Sequence, residues 1–135
     1  MSLARNAFRV LFVLWAGSLW SLAVWVAPTL FFAQDDRHLA GVLAARLFRV
    51  EAYLGLGVAA LALALPGRGR MRGLYAGAAL LALNELVLRR LMDSAHAHGT
   101  ALGLSFGAWH GVSMLLYGVA CLALVFVIWR QEYRE

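Results

Sequence analysis

"ARLFRVEAYLGLG", residues 45–57, decides how the chain is read, because its two halves ask for different solvents. Its right half opens an apolar run that continues to Leu65, as a bilayer selects. Its left half places Arg46, Arg49 and Glu51 where that run should already be in hydrocarbon. A charged side chain inside a bilayer is costly, so each of these needs a reason to be there. Composition settles the solvent. Of 135 residues, 63% are hydrophobic and 14% charged, with a mean hydropathy of +0.75. A soluble domain carries about a quarter charged residues, so this chain has too little polar surface to face water on all sides. The expectation is an all-α integral membrane protein forming one domain, residues 1–135.

All twelve basic residues are arginines. They are scattered between apolar blocks and form no basic stripe with interleaved aromatics, which argues against a nucleic-acid partner. Their placement suits topology determinants instead. The single Cys121 sits deep in an apolar run, cannot form an internal disulfide, and reads as a small core residue.

Four apolar blocks follow one another: 7–33, 39–65, 73–92 and 101–129. Each reaches the roughly 20 residues that cross ~30 Å of hydrocarbon, which predicts a four-helix transmembrane bundle. The first is too long for the core of a signal peptide and holds three tryptophans, so it reads as an uncleaved helix. Pro66 closes the second block, and "PGRGRMRG" makes a tight turn with Arg68, Arg70 and Arg72. With Arg5, Arg9, Arg130 and Arg134, seven arginines lie on that side against two acids, Glu132 and Glu135. On the other side Arg37, Arg46, Arg49, Arg89 and Arg90 are balanced by Asp35, Asp36, Glu51, Glu85 and Asp93. The positive-inside rule then puts both termini in the cytoplasm, in a multi-pass protein of the inner (cytoplasmic) membrane.

Depths follow from the helical rise. Glu51 and Arg49 come out roughly 20–25 Å from the cytoplasmic end of the second helix, Glu85 near the midplane, and His110 roughly 28 Å up the fourth. Three helices would thus bring "RLFRVE", "NELVLRR" and "AWHGVS" to the outer half of the membrane. Arg46, Arg49 and Tyr53 share one stripe, from which the arginines can snorkel to the interface. Glutamate is too short to do so, so Glu51 is expected to turn inward and pair with arginines of the third helix. Glu85 and Arg89 stand i, i+4 and can pair within their own helix. His110 shares a face with Phe106, Ser113, Met114 and Tyr117, beside Gly103, Gly107 and Gly111, whose spacing of four suits close helix packing.

Charges near helix ends commonly act only as anchors, and that plain reading covers Arg46, Arg90, Trp25 and Trp129. It is weaker for Glu51, Glu85 and Arg89, because ionisable groups inside a span are usually buried for a reason. His96 and His98, in the loop "DSAHAHGT", are two residues apart and read as solvated. The candidate ligand-binding residues are therefore His110, Ser113, Glu51, Glu85, Arg49 and Arg89, with His110 the candidate metal ligand.

"LWAGSLWSLAVWVAPTLFFA" in the first helix resembles the Trp-x-Gly … Ala-Pro-x-Leu-Phe pattern of the transmembrane protein 205-like family, small four-helix membrane proteins known in bacteria as a domain of unknown function. "FGAWHGVSMLLY" in the fourth is similar to that family's Phe-x-x-x-His-Gly-x-Ser. The resemblance implies fold and location, and carries over to Trp15, Gly17, Pro28, Phe31, His110, Gly111 and Ser113. Where members often have a proline after the third helix, this chain has Arg89 and Arg90. The first helix also resembles that of the haem-binding protoporphyrinogen oxidases. The histidine those enzymes carry two turns before the tryptophan is absent from "NAFRVLF".

No nucleophile triad, phosphate loop or paired Cys/His signature is present, so no enzyme is expected. The leading expectation is a non-enzymatic bundle or accessory subunit of a membrane complex, without a cofactor. Its partners would be the lipid bilayer and either other membrane subunits or further copies of the chain. The alternative is a site around His110 that binds haem, a metal or an anionic ligand. A small oligomeric transporter is the third reading.

Overall fold

A computed structural model describes residues 3–65 and 71–132. Pro66, Arg68 and Arg70 of the basic turn, together with Arg134 and Glu135, lie outside the described residues. The chain divides into two compact units, Met1–Met71 and Arg72–Glu135. Each is a pair of long helical segments joined by a short link.

In the first unit α1 (Leu3–Ser21) passes through a π-helical turn, Leu22–Val26, into α2 (Ala27–Ala33). The cause of the turn is Pro28, which has no N–H and whose ring would collide with the carbonyl four residues earlier in α geometry. Widening to an i→i+5 bond relieves this, and the Ala27 N–H donates to the Leu22 carbonyl. Gln34 and Asp36 are extended, and the Asp36 Oδ1 caps the next helix by accepting from the His38 and Leu39 N–H groups at 2.9 and 3.2 Å. α3 (Arg37–Ala64) then runs back beside α1.

Buried positions recur with spacings of three, four and seven: Phe8, Phe12, Trp15 and Leu19 on α1, continued by Leu22 in the π turn, and Ala44, Glu51, Gly55, Val58 and Ala62 on α3. Large side chains on one helix thus meet small ones on the other, the complementarity that lets helices approach in lipid. Gly55 is the extreme case. A methyl group there would lie 2.5 Å from Cζ2 of Trp15, so the indole rests directly on the α3 backbone.

In the second unit α4 (Arg72–Leu83) enters a second π turn, Asn84–Leu88, and continues as α5 (Arg89–His98). The Arg89 N–H donates to the Asn84 carbonyl across it. Gly99, at φ +87°, ends α5. A two-residue hairpin follows, β1 (Thr100–Ala101) antiparallel to β2 (Leu104–Ser105), with Thr100 opposite Ser105. Its turn residues Leu102 and Gly103 both have positive φ, as the tightest hairpins demand. α6 (Phe106–Glu132) then packs along α4, where Gly73 and Gly77 leave room for Val127 and Leu124.

Three helices are long and apolar enough to cross a membrane: Leu3–Ala33, Arg37–Ala64 and Phe106–Arg130. Most of their apolar surface is left uncovered by protein. Trp25, Phe32, Leu115 and Trp129 are among many large side chains facing outward, which fits a lipid solvent. The expected third span, 73–92, is helical throughout but does not join them, because Asn84, Glu85, Arg89 and Arg90 interrupt its apolar run. The fourth block also needs correcting. Residues 101–105 form the hairpin rather than a helix start, so Gly103 leaves the expected Gly103–Gly107–Gly111 stripe and serves as a turn residue. "DSAHAHGT" is likewise no loop up to His98, since α5 extends that far and the His98 Nδ1 lies 3.1 Å from the Ser94 carbonyl.

The fit of Trp15 on Gly55 makes a direct prediction. Gly55→Ala should destabilise the protein by about 1–3 kcal/mol, the usual cost of overpacking a filled site. Gly57→Ala, where an added methyl meets nothing within 4 Å, should be neutral or slightly stabilising. Thermal unfolding of both variants in detergent measures the difference.

Candidate functional site

Glu51 is the one charged residue buried among the described residues, at 8% exposure. It occupies the middle of α3, roughly 20 Å from either end. The inward orientation was legible in the sequence; the partners were not. Within its own unit they come from α1. The Trp15 Nε1–H donates to the Glu51 backbone carbonyl at 3.2 Å. The Ser18 hydroxyl lies 3.2 Å from Glu51 Oε2 and 2.8 Å from the carbonyl of Trp15, one turn back. Within the described residues of its unit no arginine forms an ion pair with Glu51. Arg46, Arg49 and Tyr53 are exposed on the other side of α3, as their common stripe predicts.

The polar site of the second unit is built around its π turn. The Arg89 Nη1 lies 3.4 Å from Glu85 Oε2, the i, i+4 pair expected from the sequence, with side chains 25% and 11% exposed. Asn84 opens the π turn, and its Oδ1 is buried without a hydrogen-bond partner, as is the Tyr75 hydroxyl on α4. Nothing in the sequence reading singled out either group. The signal available was weak: a polar pair, Asn84–Glu85, placed mid-helix between leucines.

His110 is exposed near the start of α6. Its ring stacks on that of Phe106, with centroids 6.0 Å apart and planes 12° apart, and Phe106 meets His96 edge-on at 5.6 Å. Ser113 is half-buried one turn on and Tyr117 is buried below it, whereas Met114 is exposed. Neither ring nitrogen of His110 has a hydrogen-bond partner among the described residues. A metal-bound imidazole ordinarily has its second nitrogen anchored in this way. Among the described residues no group of three His, Cys, Asp or Glu side chains lies close enough to hold a metal ion. The hairpin is tied down beside this face, with the Trp109 Nε1–H donating to the Ala101 carbonyl at 2.9 Å.

Of the motif positions carried over by resemblance, Trp15 is the structural centre of the first unit. Phe31 touches Gly41 loosely, a methyl at Gly41 lying 4.0 Å from its ring. Gly17 and Gly111 have open space where a side chain would go. Gly55 shares the inward face of Glu51, as the spacing of four predicts, but Ser18 is not among the candidates the sequence offers. It lies one helical turn from Trp15, and that spacing was the available clue.

The family described as a domain of unknown function, DUF4149, matches residues 10–101. The matched stretch takes in Trp15, Ser18, Pro28, Glu51, Gly55 and the Glu85–Arg89 pair, and ends before His110 and Ser113. No curated protein and no solved structure matches the chain.

The indole N–H has a measurable share in holding α1 to α3. Trp15→Phe keeps a ring on Gly55 but deletes the donor, and should cost about 0.5–1.5 kcal/mol on top of the packing lost with the smaller ring. In a cycle with Gly55→Ala the two effects should be strongly non-additive, because both act on one contact. Additive losses in thermal unfolding would show that the ring and the glycine act independently.

Proposed function

Because the chain belongs to the DUF4149 family of domains of unknown function, we propose that it works without catalysis, as a four-helix membrane bundle serving a larger assembly as an accessory subunit. The observation that carries this reading is a packing edge on α6 that its own unit leaves open. Gly111 and Gly118 stand seven residues apart, with Gly107 four before the first, so all three lie on one face. At Gly111 and Gly118 an added methyl would meet nothing within 4 Å, and at Gly107 only the Ser105 Oγ at 4.0 Å. The glycines of the seams within each unit behave differently, since Gly55, Gly73 and Gly77 each have a side chain seated on them. Glycine in a lipid-facing helix exposes backbone that only another helix can cover closely. The occupant of the edge is a transmembrane helix, from a second copy or from another subunit.

The kinship with transmembrane protein 205-like proteins is part of the same proposal, supported by the position of Trp15 at the centre of its unit. So is the crossing of the bilayer by the helical stretch 72–98, whose charged residues are partly neutralised by the Glu85–Arg89 pair. Four crossings return the C-terminus to the side of the N-terminus, and the arginine excess favours the cytoplasmic face of the inner membrane for both. A ligand site at His110 has less support, because among the described residues neither ring nitrogen has the anchoring partner that a ligating imidazole ordinarily has.

Two experiments test these statements. Gly111→Cys, oxidised in native membranes, should give a disulfide-linked product, because the native Cys121 is buried and contributes little background. A product at twice the chain mass identifies a second copy, and one at another mass a different subunit. A folded variant that gives no product overturns the docking edge. Reporter fusions at Arg70 and after Glu135 should score cytoplasmic and one at Gly99 external. A fusion at Arg70 scoring external would reverse the orientation.

A further inference from the structure

The neighbours of Glu51 show which form of its carboxyl they accommodate. The Ser18 oxygen sits between two others, the Trp15 carbonyl at 2.8 Å and Glu51 Oε2 at 3.2 Å. A hydroxyl carries one proton and two lone pairs. With an ionised carboxylate, both neighbours of Ser18 are pure acceptors and one proton has to serve both. With the neutral acid the chain closes: the Glu51 O–H donates to Ser18 Oγ, and the Ser18 O–H donates to the Trp15 carbonyl. Among the described residues of its unit no cation is paired with the carboxyl in place of that proton. Residues 10–34 contain no charged side chain, and the polar groups that α1 brings to Glu51 are the Ser18 hydroxyl at the carboxyl and the Trp15 N–H at the backbone carbonyl. On α3 itself Arg46, Arg49 and Tyr53 belong to the exposed stripe.

We propose that Glu51 and Ser18 form a proton-binding site inside the membrane span, with the carboxyl held as the neutral acid. Ser18 is the switching element of the site. When the proton leaves for water, the hydroxyl turns from the Trp15 carbonyl to the carboxylate, so a single rotation exchanges one hydrogen bond for another while the indole N–H continues to hold the Glu51 backbone. The site lies wholly in the first unit and is independent of the docking edge on α6. Failure of either proposal leaves the other standing.

Dicyclohexylcarbodiimide is the probe, because it partitions into membranes and reacts with protonated carboxyl groups. The acid proton passes to a carbodiimide nitrogen and the carboxyl oxygen bonds to the central carbon. The resulting O-acylisourea rearranges to a stable N-acylurea, and no atom is lost. At about pH 8 an exposed glutamate is protonated only about once in several thousand molecules, so labelling reports a carboxyl that keeps its proton. Full-length protein in lipid vesicles should acquire one adduct, found on Glu51 by peptide mass spectrometry and absent in Glu51→Gln. Labelling of Glu85, paired with Arg89, should be lower by about tenfold or more.

A second readout is free of reagent access. The infrared spectrum at the same pH should contain the carbonyl stretch of a protonated carboxylic acid, shifted in D2O and lost in Glu51→Gln. That variant should keep its thermal midpoint, because the carboxamide N–H donates to Ser18 as the acid does. Absence of the band from the wild type, or equal labelling of Glu51 and Glu85, overturns the proposal.

Discussion

The contact between Trp15 and Gly55 is the constraint on which the first unit depends. Glycine removes the side chain that would hold α1 off α3, and the indole fills the space so closely that no methyl group fits beneath it. Close approach then brings the ring nitrogen within reach of a main-chain carbonyl, that of Glu51. One choice of residue size thus sets a distance, and the distance makes a hydrogen bond available. In lipid this matters more than in water, because apolar side chains gain nothing by leaving one hydrocarbon for another. Shape and polar contacts have to supply what the hydrophobic effect supplies elsewhere.

The same logic holds in the second unit with different residues. Gly73 and Gly77 take the role of Gly55, and the aliphatic side chains of Val127 and Leu124 take that of the indole. In both units the first helical segment is interrupted by a π turn, for different reasons. Pro28 imposes the first by removing a donor. The second contains no proline and falls where Asn84, Glu85 and Arg89 bring polar groups into a helix. A π turn frees backbone bonding from strict α geometry and inserts an extra residue, which re-aims the side chains that follow. Such turns are frequent at functional sites, and here each lies within one or two turns of a named polar group. Ser18 stands just before the first, and Glu85 is inside the second.

Much of this was legible in the sequence because it depends on local pattern. Apolar block length identified the long helices, and the short reach of glutamate against that of arginine turned Glu51 inward and Arg46 and Arg49 outward. The i, i+4 spacing gave the Glu85–Arg89 pair. Where the reading failed, the deciding information was not local. The block at 101–129 looked uniformly apolar, yet Leu102 and Gly103 adopt positive φ and fold residues 100–105 into a hairpin, which hydropathy does not register. The stretch "DSAHAHGT" looked like a loop by composition, but α5 carries through it to His98 before Gly99 turns the chain.

What the sequence by itself determined is the length of its apolar helices and the facing of its charges, because both follow from side-chain chemistry repeated at helical spacing. Only the tertiary structure decided who meets Glu51. A carboxyl can be satisfied by an arginine, a hydroxyl or an indole, and sequence spacing within α3 says nothing about which of them α1 presents. That depends on the axial register of two antiparallel helices, fixed by one large ring seated on one absent side chain. Trp15 and Gly55 are 40 residues apart, and no periodicity within either helix records that they touch.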